Sequence, residues 1–119
     1  MDDITLNDCF QFILKYRKNK VFRGFSEAQI KGALSQGLQT ECIIVDVKDN
    51  KICGLALGIP FFTTYTMHVS HILCIEAGSM ARILLRFMEL WPGWNIEAER
   101  KGKLKKYKPS IFKKILSYG

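Results

Sequence analysis

Proline is scarce, three in 119 residues, and no stretch is dominated by one residue or by a repeat, which excludes a collagen-like or low-complexity chain. The four cysteines, Cys9, Cys42, Cys53 and Cys74, include no CxxC pair and no Cys/His cluster. They therefore offer neither a zinc site nor a disulfide framework, no metal is expected, and they read as buried thiols of a reducing compartment. The chain begins Met1-Asp2-Asp3, without the positive start and apolar stretch of a secretory signal, so cytoplasmic residence is expected. Acidic residues are missing from positions 100 to 119, where Arg100, Lys101, Lys103, Lys105, Lys106, Lys108, Lys113 and Lys114 stand. Of the 18 cations and 11 acids, ten cations and all the acids then belong to residues 1–99, a net −1 against +7 for the whole chain. A uniformly basic, histone-like chain is excluded; one anionic contact surface, for nucleic acid, a phosphate-bearing ligand or an acidic partner, is what remains.

A second absence is of charge: no Asp, Glu, Lys or Arg occurs from Ile52 to Ile75. That length suffices to cross a bilayer. Yet the stretch contains Gly54, Gly58, Pro60, hydroxyls at Thr63, Thr64, Thr66 and Ser70, and both histidines, groups that are costly at membrane depth. It reads as two strands joined by a polar, aromatic turn, with no membrane span.

What is present is α/β (α+β) patterning in one domain over residues 1–119, a mixed, mostly antiparallel sheet with flanking helices. Leu6, Cys9, Phe10, Ile13 and Leu14 repeat at helical spacing behind a Thr5/Asp8 capping box, and Lys15, Arg17, Lys18 and Lys20 crowd the helix end, facing water. Ser26 with Gln29 starts a second helix, with Phe25 placed to staple onto Ile30, a buried stripe of Ile30, Ala33 and Leu34, and Gly37 as its left-handed stop. The runs 42–47 and 52–59 flank a charged turn and predict a hairpin at the sheet centre. In 67–75, Met67, Val69, His71, Leu73 and Ile75 alternate with His68, Ser70, Ile72 and Cys74, as in a strand covered on both faces. Ala77-Gly78-Ser79 breaks it, with Ser79 as N-cap of a helix carrying Met80, Ile83, Leu84, Phe87, Met88 and Trp91. Pro92-Gly93 stops that helix, and Trp91 and Trp94 beside it read as core residues at a turn. A short strand at 94–99, a loop or frayed strand at 100–108, and a last helix from Pro109 buried through Ile111, Phe112, Ile115 and Leu116 complete the pattern.

This order of elements, with the strand-to-helix break at Gly78-Ser79, resembles the GNAT-type N-acyltransferase superfamily over nearly the whole chain. Cys42 to Gly58 resembles its second and third strands, and Pro109 to Gly119 its last helix. The chain stops where that family adds two more strands, so it resembles a reduced member. It is also similar to small GNAT-like internal virion proteins of short-tailed phages. Around Met88 to Lys105, with Trp91-Pro92 and Arg100-Lys101-Gly102-Lys103, it resembles the toxin-activating lysine acyltransferases. The resemblance implies an acyl-coenzyme A substrate whose pyrophosphate meets a helix N-terminus at Gly78, Ser79 and Met80. In the family's Gln/Arg-x-x-Gly-x-Gly/Ala signature, Gly78 takes the first glycine, with Ile75 and Met80 at the flanking positions.

Acyl transfer to an amine needs a base for the amine, an acid for the leaving thiolate and an anion site. The candidate bases are His71, Glu76 and His68; the odd separation of the two histidines predicts opposite faces of their strand. Tyr107 and Tyr118 are candidate acids, and Cys74 a weaker candidate nucleophile. Arg100, Lys101, Lys103, Lys105, Lys106 and Lys108, with Tyr107 interleaved, suit phosphate contacts and stacking. No DNA-reading motif accompanies them. Two functions stay open: an acyl-coenzyme A-dependent N-acyltransferase acting on an unidentified amine, or a non-enzymatic phage protein that binds nucleic acid or an acidic partner through its basic C-terminal segment.

Overall fold

A computed structural model of the chain describes residues 4–17, 22–100 and 103–107. Within them lie α1 (Leu6–Tyr16), α2 (Glu27–Gln39), β1 (Ile43–Lys48), β2 (Lys51–Phe61), β3 (Thr66–Cys74), α3 (Ser79–Leu90), β4 (Asn95–Arg100) and β5 (Lys103–Tyr107). The five strands form one sheet in the order β1-β2-β3-β4-β5. All neighbours are antiparallel except the β3/β4 pair, which α3 connects. This is an α+β fold with a mixed sheet, as the patterning implies.

Both N-terminal helices start where their caps place them. Thr5 and Asp8 exchange hydrogen bonds of 3.1 and 2.8 Å, and Ser26 and Gln29 do so at 3.1 and 2.7 Å, so each box satisfies orphan amides of the first turn. Cys9, Phe10, Phe12 and Ile13 of α1 join Phe22, Ile30 and Leu34 over Leu55, Leu57 and Leu73 on one face of the sheet. α3 covers the other face, with Ile83, Leu84, Phe87 and Met88 over Ile44, Ala56, Met67, Val69, Ile96 and Ala98. Gly54, Ala56 and Gly58 present a row of small residues to α3 and let it lie close. A Cβ on Gly54 would collide with Ser79 Oγ, and one on Gly58 would come within 2.6 Å of Met67 Sδ.

Several expectations are corrected. Among the described residues the hairpin of β1 and β2 lies at one edge of the sheet, because β1 pairs there only with β2. Its turn, Asp49-Asn50, has φ of 53° and 62°, the paired left-handed residues that match the twist of a two-residue hairpin. Gly37 does not end α2. It is buried inside the helix, where a Cβ would come within 3.0 Å of Leu57 Cδ2, and Glu41 supplies the left-handed residue after the Thr40 cap. Ser79 is not the N-cap either: Gly78 caps α3 with φ 84°, and Ser79 is its buried first residue. Of the two alternatives for the run 100–108, a loop or a frayed strand, the strand holds for residues 103–107, which form β5 against β4. Cys9, Cys42 and Cys53 are buried as expected, while Cys74 is half-buried. Burial pushes the Cys9 thiol up to about 11. Lys15 is exposed, but Arg17 turns inward and its Nη1 donates to the Phe25 carbonyl at 3.0 Å. Lys18, Lys20, Lys101, Lys108 and the expected last helix lie outside the described residues.

The largest correction concerns β3. Its register against β2 runs Leu57↔His71 and then Gly58↔Val69, leaving Ser70 as an extra residue. A bulge of this kind shifts the two-residue alternation by one. Met67 and Val69 therefore face α3, as do Ile72 and Cys74 beyond the bulge. His68 and His71 consequently share the opposite face.

Candidate functional site: a bulged strand, a notch and a helix start

The parallel pair β3/β4 is registered only from Thr66↔Asn95 to Val69↔Ala98. Beyond Val69 the Ser70 bulge turns β3, and among the described residues positions 70–74 have no strand partner on the β4 side. The parallel pairing thus has a notch toward the C-terminal end of β3, where the chain enters α3 and one edge of β3 is left without a ladder. Unpaired backbone groups along such an opening are donors and acceptors for a ligand.

His71 lies at this notch on the α1/α2 face. Its ring stacks on Phe22 at 4.7 Å and meets Phe25 edge-on at 5.4 Å. Ser70 Oγ donates to the Leu57 carbonyl at 3.2 Å and lies 2.9 Å from His71 Nδ1. With the hydroxyl proton committed to Leu57, Nδ1 must be the donor, which places the imidazole lone pair on Nε2. Burial, and then the neighbouring His68, hold the His71 pKa below its ordinary value, so the ring is neutral near pH 7. His68 is one step down the same face, where its Nδ1 is 3.2 Å from Glu97 Oε1 and its ring meets Phe61 at 6.3 Å. The spacing rule that assigns the two histidines to opposite faces fails because it counts no bulge. Ser70, which orients His71, carries no sequence signal beyond being a small hydroxyl between them.

Glu76 belongs to a different cluster. Lys48 Nζ donates to it at 3.0 Å, and Arg82 Nη2 lies at 3.9 Å. The Cys53 thiol beside it and then Lys48 hold its carboxyl below the usual range, which makes it a weaker base than an ordinary glutamate. Next to it, Asp46 accepts from Ser79 Oγ at 2.7 Å and from Arg82 Nε and Nη2 at 3.2 and 2.9 Å. Asp46 and Arg82 are the residues that sequence reasoning missed. They stand 36 positions apart, and no short-range pattern links them.

Gly78, Ser79 and Met80 do form the start of α3. Gly78 is exposed, Ser79 is buried with its side chain turned to Asp46, and Met80 packs partly against the core. What they offer an anion is backbone. The Met80 and Ala81 amides are first-turn donors, and among the described residues no carbonyl or side chain accepts from them.

The basic segment is divided by its strand. Tyr107 packs against the α3-side core, so Lys103 and Lys105, at even spacing from it, share that face, while Lys106 lies opposite, across from Glu97. All three lysines are exposed. Arg100 ends β4. Tyr107 as an acid for the thiolate is set back among core residues, and Tyr118 lies outside the described residues. Cys74 is half-buried, and burial raises its thiol pKa, the opposite of what an activated nucleophile requires.

The fold and site define a class only in outline: an α+β domain with a notched parallel strand pair beside a helix start. No protein-family model matches the chain, and neither curated proteins nor solved structures give a match. Among the described residues no group of histidine, cysteine and acidic side chains is arranged to hold a metal, and no helix is long and apolar enough to cross a membrane.

Proposed function

We propose that this chain is a reduced GNAT-like domain that takes an acyl-coenzyme A in the notch between β3 and β4 and transfers its acyl group to an amine. The observation that carries the reading is the notch itself. A bulged strand parts from its parallel neighbour beneath a helix start whose first-turn amides are open. A phosphate group fits those amides. Asp46 already draws on the positive end of α3 through Ser79 and holds Arg82, and Glu76 holds Lys48, so the attraction rests mainly on the Met80 and Ala81 amides. In the transfer the amine nitrogen bonds to the thioester carbonyl carbon and the carbon–sulfur bond breaks. The amine proton goes to His71 Nε2, and the thiolate takes a proton from solvent. Glu76, tied to Lys48 and Arg82, has no part in this step.

Titration calorimetry and thermal shift with acetyl-coenzyme A test the reading, because a ligand bound only by the native state raises its stability by mass action. Gly78 is a poor place to perturb the site, since at φ 84° any side chain strains the cap. Met80→Glu is better: an acid in the first turn favours the helix and repels phosphate. The expected result is saturable binding that Met80→Glu weakens at least about tenfold, with the far-ultraviolet spectrum unchanged. His71→Gln keeps the binding and loses turnover. An absence of binding at millimolar ligand overturns the proposal. The second reading, a non-catalytic domain binding nucleic acid or an acidic partner, would then stand on the exposed lysines of β5, and salt-sensitive DNA binding would be its signature.

A further inference from the structure

The β2–β3 turn and the α3–β4 connection bring Phe61, Phe62, Tyr65, Trp91 and Trp94 to one end of the molecule. Three rings surround Trp94: Trp91 at 4.8 Å, Phe62 at 5.2 Å and Tyr65 at 5.7 Å. Trp91 and Trp94 are half-buried and pack against the α3-side core, as expected of residues at that turn, but the rings around them are open. Phe62 and Tyr65 are 65% and 63% exposed, and Phe61, Ile59 and Leu90 at the same end are open as well. The turn that carries it lies in the stretch from Ile52 to Ile75 that holds no charged residue. An uncovered apolar surface of this kind on so small a domain marks a contact.

Chemistry selects the occupant. Trp and Tyr, with an apolar body and one polar atom, prefer the boundary between water and lipid. The rings meet one another edge to face, at 88° and 89° around Trp94, closing into a continuous surface instead of leaving parallel faces for bases. Ile59 and Leu90 add aliphatic area that stacking does not use. Cations stand on the hairpin that leaves this end: Tyr107 of β5 pairs with Ile96, two residues after Trp94, and Lys106 and Lys105 come next along the strand with Lys103 at its far end, while the exposed acids near Trp91 are Glu41 and Glu89. Lys103, Lys105 and Lys106 are exposed, and among the described residues no acid pairs with them. We propose that this end docks on an anionic phospholipid surface, with its rings at headgroup depth and the β5 lysines toward the lipid phosphates. An anionic bilayer satisfies both the apolar and the basic component.

Trp91 and Trp94 are the chain's two tryptophans, so intrinsic fluorescence reads the patch directly. The probes are vesicles of phosphatidylcholine, alone and mixed with phosphatidylglycerol. The expected result is a blue-shifted emission and co-sedimentation with the mixed vesicles, weaker with phosphatidylcholine alone. Phe62→Ser with Tyr65→Ser should weaken binding to both at least about tenfold while the chain stays folded at the assay temperature, as its far-ultraviolet spectrum checks. Lys105→Glu with Lys106→Glu should cost about fivefold per lysine or more, on anionic vesicles only. The proposal fails if no vesicle moves the emission or if the serine pair binds as the parent does. It also fails if emission without lipid is already that of a buried indole and stays there. Quenching by a single-stranded oligonucleotide without vesicle binding would reassign the patch to nucleic acid, and a concentration-dependent dimer lost in the serine pair would reassign it to a second copy of the chain.

Discussion

The two ends of α3 are built from opposite materials. At its N-terminus Asp46, Ser79, Arg82, Glu76 and Lys48 join β1, the β3–α3 turn and the helix through hydrogen bonds and ion pairs of 2.7 to 3.2 Å. At its C-terminus Trp91 reaches the Glu41 carbonyl at 3.4 Å, and the side chains that follow the helix meet chiefly ring on ring. The side chains of the polar end are paired with one another, leaving backbone amides as its open donors, and the end is therefore specific and hard to alter. The aromatic end is left partly uncovered, so substitutions there should cost little stability and much binding.

The largest effect should come from Asp46→Ala. It strands the buried Ser79 hydroxyl and deprives the Arg82 guanidinium of its main partner, losses worth about 2–3 kcal/mol for a partly buried pair with its hydrogen bonds. Chemical denaturation reads it directly, and a cost below about 1 kcal/mol would mean that water replaces Asp46 and that the polar end is not the rigid one. Restoring part of the loss with Asp46→Asn would show how much is hydrogen bonding to Ser79 and how much is charge.

A sharper comparison uses two glycines of β2, one under each end of the helix. At Gly54 a Cβ meets Ser79 Oγ, which Asp46 holds in place, and Cys74 Sγ at 3.1 Å. At Gly58 it meets Met67 Sδ at 2.6 Å and Phe87 at 3.1 Å. Methionine is flexible and can yield, whereas a hydrogen-bonded serine on the first helical turn cannot. Gly54→Ala is expected to cost about 2–3 kcal/mol and Gly58→Ala about 1 kcal/mol, measured by denaturant midpoints at equal slope. Equal costs would show that the aromatic end is packed as rigidly as the polar one.

How far the chain could be read beforehand follows the same division between local and distant causes. Both capping boxes, the Asp49-Asn50 turn and the amphipathic stripe of α3 are set by residues three or four apart, and each lies where the pattern puts it. The Ser70 bulge depends on the partner strand and leaves no mark in the sequence, so spacing alone puts the two histidines on opposite faces when they share one. Gly37 looked like a stop because glycine favours left-handed backbone, but its use is to admit Leu57, a contact twenty positions away. Of the site, the helix start and His71 were legible. Asp46 and Arg82, which decide how much positive field that helix start has to spare, were not.

His71 gives a smaller effect and a pH direction. Its folded pKa lies below the ordinary value of 6.5 because burial penalises the charged ring. The unfolded chain then binds more protons below pH 6.5, so stability falls as the pH drops through the window from 6.5 toward the folded pKa. His71→Gln should remove that slope while leaving stability near pH 8 little changed. If the slope survives the substitution, the titrating group lies elsewhere and the stacked, neutral ring loses its support as the base of the notch.

The smallest expected change is at Tyr65, and it bears most directly on the aromatic end. Its φ of 49° is left-handed backbone in a non-glycine residue, a conformation costing about 1–2 kcal/mol. The backbone is pinned there because the Asn95 amide donates to the Tyr65 carbonyl at 2.8 Å, so the strain belongs to the side chain alone. Tyr65→Gly removes the strain and also the edge-to-face contact with Trp94, worth about 0.5–1.5 kcal/mol, and frees an unfolded chain that glycine makes more flexible. These terms nearly cancel, and stability should stay within about 0.5 kcal/mol of the parent, while vesicle binding weakens. A loss above about 1 kcal/mol would make the ring a strut that holds Trp94 in place. A neutral result with weakened binding would mean that the strain persists for the sake of what the ring touches outside the molecule.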